Sequence, residues 1–284
     1  MAEILKGAEV TAALNARLSQ RAEKLKAMSV MPCLAIVRVG ARDEDLAYER
    51  GAEKRCAAIG VEVKKFVLEQ AASQEELIKL IESINEDENI HGCLLLRPLP
   101  KHMDEELIRN ALRPEKDIDG ITDISLGGVF TASGKGYAPC TAAACVEILD
   151  HFGIEPEGKK AVIVGRSLVV GKPLAMLLMA RNATVTVCHT RTKNLAEECR
   201  GADILIAAAG RAGVVGAGSF SEGQTVIDVG INADENGKLV GDADFDAAMA
   251  EAGAVTPVPG GVGTVTTSVL VKHVIEAAER SAGI

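Results

Sequence analysis

A chain of 284 residues holds either one large domain or two of ordinary size. With 48% hydrophobic and 25% charged residues, it has the composition of a folded globular protein. The formal net charge is −9 and no basic run occurs, which argues against nucleic acid and anionic membrane as partners.

Aromatics make up only 2% of the chain, with no Trp and two Tyr, so the core is expected to be aliphatic and each Tyr to have a specific task. The seven cysteines (33, 56, 93, 140, 145, 188 and 199) are scattered without a C-x-x-C pair, as expected of buried free thiols in a reducing compartment. Apart from Cys188-His189, no His lies near a Cys at a ligand spacing, so no metal site is expected. No apolar run of signal-peptide length opens the sequence, and none approaches the ~20 residues of a membrane span. The expectation is a cytoplasmic protein.

In chain order, residues 8–28 are rich in Ala, Leu, Arg and Glu at helical spacing. Cys33 to Arg38 is a short apolar run after Pro32 and predicts a buried strand. Residues 43–58 predict a polar helix, Val61 to Val67 an alternating strand, and Gln74 to Ile84 an amphipathic helix. Gly92 to Leu96 predicts another buried strand, stopped by Pro98 and Pro100. A short helix over 104–112 precedes the polar turn Pro114 to Gly120, and residues 127–138 predict a Gly-rich loop. Thr141, after Pro139, is placed to cap a helix running to about His151.

A second rhythm begins at residue 158. Ala161 to Val164, Thr184 to Cys188, Ile204 to Ala209 and Thr225 to Val229 predict strands, with a helix from about Gly171. A loop, Thr256 to Gly263, leads to a closing helix from about Val265. Alternating helices and apolar strands predict an α/β protein with parallel sheets.

The run from the strand ending at Val164 through Gly165-Arg-Ser-Leu-Val-Val-Gly171 into a helix is the context of a dinucleotide-binding turn. There glycine lets backbone approach a pyrophosphate at a helix N-terminus. Ser167 stands where the G-x-G-x-x-G pattern has its second glycine, and the last glycine is one residue late, so a plain strand-to-helix turn is the competing reading. His189, Thr190 and Arg191 follow the second strand, where such folds read the adenine ribose. The local charge there is positive, which leans towards NADP, with NAD as the alternative.

Gly165-Arg-Ser-x-x-Val-Gly-x-Pro173, Pro114-Glu-Lys-Asp-x-Asp-Gly120 and Thr256-Pro-Val-Pro-Gly-Gly-Val-Gly263 together resemble the methylenetetrahydrofolate dehydrogenase/cyclohydrolase family. Pro139-Cys-Thr141, Cys188-His189 and Gly230-Ile-Asn232 do so too. The resemblance runs over nearly the whole chain. It implies an N-terminal αβ folate domain (1–138 with 265–284), a Rossmann-type dinucleotide domain (139–264), a cleft between them, and a homodimer. It implies that Tyr48 stacks along the pterin, that Asp119 hydrogen-bonds the pterin ring, and that Leu96, Pro257, Pro259, Gly260 and Gly261 line the folate pocket. Tyr48 and Asp119 are the catalytic candidates. Gly165, Arg166, Ser167, Gly171, His189, Thr190, Arg191, Ala208, Gly210 and Ile231 are the cofactor candidates. Without the resemblance, helix packing would account for Tyr48 and turn formation for Asp119.

Two positions depart from the family pattern. Bifunctional members carry Lys four residues after the Tyr, where this chain has Ala52, and Gln where it has Leu96. Oxidation of the methylene bridge needs chiefly the positioning of two partners. Hydrolysis of the methenyl product needs proton transfers, for which Ala52 and Leu96 have no group. Lys54 lies about 120° round the helix from Tyr48, and Arg55 returns to the Tyr48 face but about 10 Å along, and is a poor base. The expectation is therefore a dehydrogenase with little or no cyclohydrolase, served by a separate cyclohydrolase. The rivals are a bifunctional enzyme using an unrecognised acid/base group and a non-catalytic folate- or dinucleotide-binding protein.

Overall fold

The computed structural model describes residues 1–284. The chain divides into two compact units, Met1–Ala12 with Thr141–Thr266 and Ala13–Cys140 with Thr267–Ile284. Its first half contains β1 (Glu3–Ile4), α1 (Gly7–Ala27), β2 (Cys33–Val39), α2 (Asp43–Ile59), β3 (Glu62–Leu68), α3 (Gln74–Glu86), β4 (Gly92–Leu95), α4 (Glu105–Ala111), α5 (Asp123–Thr131) and α6 (Cys140–His151). The second half contains β5 (Lys160–Val164), α7 (Gly171–Met179), β6 (Thr184–Cys188), α8 (Leu195–Arg200), β7 (Ile204–Ala207), β8 (Thr225–Asp228), β9 (Asn232–Ala233), β10 (Leu239–Val240), α9 (Phe245–Glu251), β11 (Ala254–Val255) and α10 (Val262–Ala282). No helix is long and apolar enough to cross a membrane.

In the unit of Ala13–Cys140 and Thr267–Ile284, three parallel strands pair in the order β3-β2-β4. Central β2 is buried at six of its seven positions, as a strand covered on both faces must be. Beside it, α3 starts at a capping box: Ser73 accepts from the backbone of Glu76, whose side chain accepts from the backbone of Ser73. It then buries Leu77, Ile81 and Ile84 one turn apart. In α2 three acidic residues at the start favour the helix dipole, and Asp45, Glu49, Ala52, Cys56 and Ile59 form its buried stripe. That spacing of four and three residues is the ordinary apolar period, yet two of its members are carboxylates.

In the other unit, six parallel strands pair in the order β1-β11-β8-β7-β5-β6. The chain goes from β5 outward to β6 and then returns to the far side of β5 as β7. This reversal makes the C-terminal ends of β5 and β7 a topological switch point, where open α/β sheets bind ligands. The fully buried strands β7 and β8 are short: Ile204 to Ala207 is wholly apolar, and Thr225 to Asp228 has Val226 and Ile227 at its centre.

The structure corrects several expectations. Residues 1–12 belong with the dinucleotide-type sheet rather than with the 13–140 unit, because Glu3 and Ile4 pair with Ala254 and Val255 at its edge. The predicted loop over 127–138 is helical as far as Thr131. Thr122 caps α5 by accepting from Ser125, and Gly128 admits the returning chain, since a Cβ there would lie 2.0 Å from the Lys135 carbonyl oxygen. Helix α6 begins at Cys140, which puts Thr141 inside its first turn rather than at the cap. The closing helix begins at Val262, three residues before the expected start.

Candidate active site

In the unit of Ala13–Cys140, a cavity of about 290 Å³ is lined by Glu44, Asp45, Tyr48, Leu94, Leu96, Arg97 and Asp119. Three chain segments build it. Helix α2 presents Asp45 and Tyr48 one turn apart. The end of β4 presents Leu94, and Leu96 is held just beyond by its N–H donating to the Val37 carbonyl, 2.9 Å. The turn after residue 114 presents Asp119.

That turn is set by a neighbouring carboxylate. Asp117 is fully buried and accepts from the N–H groups of Ile121 (2.9 Å) and Thr122 (2.8 Å). Asp119 is itself held by the thiol and the N–H of Cys140, at the start of α6. Burial pushes its carboxyl up to about 6, the Cys140 hydrogen bonds opposing the rise. Burial and the neighbouring Asp119 charge together push the Tyr48 phenol well above its ordinary value. Tyr48 therefore stays protonated, while Asp119 titrates close to neutrality.

Behind Asp119 lies His273 of α10, buried, with Nδ1 2.8 Å from the Ile118 carbonyl and 3.7 Å from the Cys140 sulfur. The carbonyl can only accept, so Nδ1 carries the proton. Desolvation lowers this imidazole to about 4 and keeps it neutral. Ala52 is fully buried, Lys54 is exposed, and neither Lys54 nor Arg55 lines the cavity.

In the unit of Thr141–Thr266, the dinucleotide candidates cluster at the switch point. Gly165 directly follows β5 and Ala208 directly follows β7, with the Ala208 N–H donating to Val164. At φ +132°, Gly165 brings its backbone so close to this segment that a Cβ would lie 2.0 Å from the Ala208 carbonyl oxygen. Ser167 accepts from the Val170 N–H, 3.1 Å, closing the turn before α7. His189 Nδ1 accepts from the Arg191 N–H, and the His189 N–H donates to Thr192. These bonds shape the loop after β6 and leave the side chains of Thr190 and Arg191 exposed. Arg166 is exposed as well and makes no ion pair. Two exposed loops, one carrying Arg166 and Ser167 and the other Thr190 and Arg191, suit a phosphorylated dinucleotide.

Sequence reasoning missed the group that organises this site. Asp242, fully buried, accepts from the N–H groups of Ala209 (2.6 Å), Gly210 (2.8 Å) and Arg211 (2.8 Å) and from the Asn232 amide (2.9 Å). A single carboxylate so ties the loop after β7 to the segment after β8. Nothing periodic marks it in the sequence. Pro257, Pro259, Gly260 and Gly261 line a second cavity of this unit, about 250 Å³, together with Asp228 and Ile231. Ile231, expected among the cofactor residues, thus shares a cavity with residues expected to face folate. Asp45 and Arg97 of the first cavity were missed too; the signal for Asp45 was an acidic residue one helical turn before Tyr48.

Comparison with known proteins fits this arrangement. The catalytic domain of tetrahydrofolate dehydrogenase/cyclohydrolase matches residues 5–119, and the NAD(P)-binding domain of the same proteins matches residues 139–282. The chain belongs to the tetrahydrofolate dehydrogenase/cyclohydrolase family. It is 50% identical over 281 residues to the bifunctional protein FolD of Carboxydothermus hydrogenoformans, covering 98% of each chain. Among solved structures it resembles the bifunctional FolD methylenetetrahydrofolate dehydrogenase/cyclohydrolase of Campylobacter jejuni, at 36% identity, 99% coverage of both chains and a TM-score of 0.95. It also resembles the Trypanosoma brucei dehydrogenase-cyclohydrolase complexed with NADP and an inhibitor, at 34% identity, with coverage of 100% of this chain and 99% of that one and a TM-score of 0.93.

Proposed function

We propose that the chain oxidises 5,10-methylenetetrahydrofolate to 5,10-methenyltetrahydrofolate with NADP and then hydrolyses the methenyl product. The observation that carries the reading is the cavity shared by Tyr48, Leu96 and Asp119 within a chain that belongs to this family over nearly its whole length. NADP, when bound, supplies the hydride acceptor. Gly165, Arg166, Ser167, Gly171, His189, Thr190, Arg191, Ala208, Gly210 and Ile231 are assigned to holding it, with Arg166 and Arg191 on the 2′-phosphate. Tyr48 is assigned to stacking along the pterin and Asp119 to accepting hydrogen bonds from it. Pro257, Pro259, Gly260 and Gly261 are assigned to the folate as well.

The hydrolytic step replaces the expectation of a dehydrogenase alone. The relatives at 44–50% identity bear the name of a bifunctional protein, which favours both activities in this chain and gives no support to a separate cyclohydrolase. A dehydrogenase without the second step remains as a second reading because Ala52 is sealed in the core and Leu96 offers the cavity only hydrocarbon.

One assay separates these. With methylenetetrahydrofolate and NADP, reduced cofactor should form while methenyl absorbance stays low and falls faster as enzyme is added. Methenyl accumulation that decays at the buffer rate would establish the second reading. Absence of cofactor reduction with either dinucleotide would leave only a binding protein. Sedimentation of the purified chain tests the homodimer that the family resemblance implies.

A further inference from the structure

The two positions from which the family resemblance expects polar help with water addition, 52 and 96, carry Ala and Leu. Hydrolysis in this cavity then needs another proton acceptor, and the cavity contains three carboxylates: Glu44, Asp45 and Asp119. Glu44 is exposed, at the solvent edge of the cavity, with its carboxylate 4.0 Å from the Arg42 guanidinium. Asp119 is engaged by the N–H and thiol of Cys140 and is already assigned to the pterin. Asp45 is different. It is 6% exposed, lies on the buried stripe of α2, and sits one turn from Tyr48 on the side away from Ala52.

A built holder surrounds it. The Arg42 guanidinium donates to Asp45 Oδ1 at 3.1 Å and also reaches the carbonyls of Pro98 (3.2 Å) and Arg97 (3.4 Å). Arg42 is therefore pinned between the start of α2 and the turn after β4, and it fixes the carboxylate by one oxygen. No protein group holds the other, Oδ2, which is left for a water molecule. The charges facing this carboxyl are Arg42 and Glu44 from its own helix and Arg38 from β2. Burial raises it from its ordinary value, the two guanidinium groups opposing. When ionised, a carboxylate raised in this way is a better base than an exposed one.

We propose that Asp45 is the general acid/base of the hydrolytic step. The proposal rests on the bifunctional reading above. Asp45 Oδ2 takes a proton from water as the water oxygen bonds to the methenyl carbon, and the carbon–nitrogen π pair moves onto nitrogen, cancelling the cation. In the second half one bridging C–N bond breaks and its pair stays on the departing nitrogen, which takes the proton back from Asp45. The added hydroxyl loses its own proton to solvent as the formyl C=O forms. One water is consumed and one proton released, as the overall reaction requires.

The test is the hydrolysis of methenyltetrahydrofolate by wild type, Asp45→Asn and Asp45→Glu, with dehydrogenase rates on the same preparations. Asn keeps the size and the acceptor for Arg42 but cannot take the proton. Loss of a general acid/base costs roughly 10²- to 10⁴-fold, so the cyclohydrolase-to-dehydrogenase ratio should fall at least about 100-fold in Asp45→Asn and recover substantially in Asp45→Glu. An unchanged ratio in Asp45→Asn, with wild type active, overturns Asp45 and leaves the bifunctional reading standing. No enzyme-dependent hydrolysis by wild type overturns both. Circular dichroism of the variants identifies a ratio that changed through misfolding, and the Asp45→Glu arm then decides.

Discussion

Asp119 shows how one turn residue becomes a chemical group. An exposed Asp in Pro114 to Gly120 would be a turn former and nothing more; desolvation, only partly opposed by the Cys140 contacts, turns it into a carboxyl titrating at about 6. Asp119→Ala should remove a charge-assisted hydrogen bond worth roughly 1.5–3 kcal/mol, a ten- to hundredfold loss in dehydrogenase kcat/KM. The raised value also gives a direction with pH. Below about 6 the carboxyl is protonated and loses its charge, so kcat/KM should fall on acidification, and Asp119→Asn should flatten that limb. An unchanged limb would remove Asp119 from the site. At the cofactor turn, exposed and unpaired Arg166 is the other residue to test. Arg166→Ala should lower kcat/KM for NADP more than for NAD, and equal losses would take it off the 2′-phosphate.

Among the elements, the close passage of the β5 end against the β7 end makes Gly165 a packing requirement in addition to any role towards a ligand. Gly165→Ala meets both a backbone region that costs about 1–3 kcal/mol for a residue with a Cβ and a collision with backbone 2.0 Å away. Its melting temperature should fall by about 5 °C or more. Helix α10 supplies a second case, because His273 ties it to Ile118, next to Asp119. The folded imidazole titrates at about 4 against about 6.5 in the unfolded chain. Its contribution to stability is therefore complete above about 6.5 and is lost as pH falls towards 4. Asp119 and Asp228, both raised to about 6, act in the opposite direction, so the measurement is a difference. Denaturant unfolding of wild type and His273→Asn at pH 7.5 and 5 should show wild type losing more on acidification than the variant does.

For the whole molecule, ligand linkage is the direct check on the cofactor. A ligand at a hundred times its Kd stabilises the native state by about 2.7 kcal/mol. Equal concentrations of NADP and NAD should raise the melting temperature by different amounts, NADP more. With no Trp in the chain, the transition is best followed by circular dichroism or calorimetry. A larger shift with NAD would reverse the cofactor assignment.

The strand–helix alternation, the apolar runs of β2, β4 and β7, and the Gly165 turn were legible from the residues alone. Each depends on a local period or a local backbone requirement that a window of a few residues contains. The short pieces were not legible. A two-residue strand such as β1 has no period, and only its pairing with β11, some 250 residues away, makes it a strand and moves residues 1–12 into the other unit. The Gly-rich stretch at 127–131 reads as loop by propensity and is helix because Thr122 caps it and Lys135 packs on Gly128. For the candidate site, Tyr48, Asp119 and the cofactor turn stood out by motif, whereas Asp45, Asp242 and His273 did not. A carboxylate or imidazole is ordinary anywhere in a sequence. Its charge becomes chemistry only when distant segments remove its water and supply its partners, and that is decided by the tertiary structure.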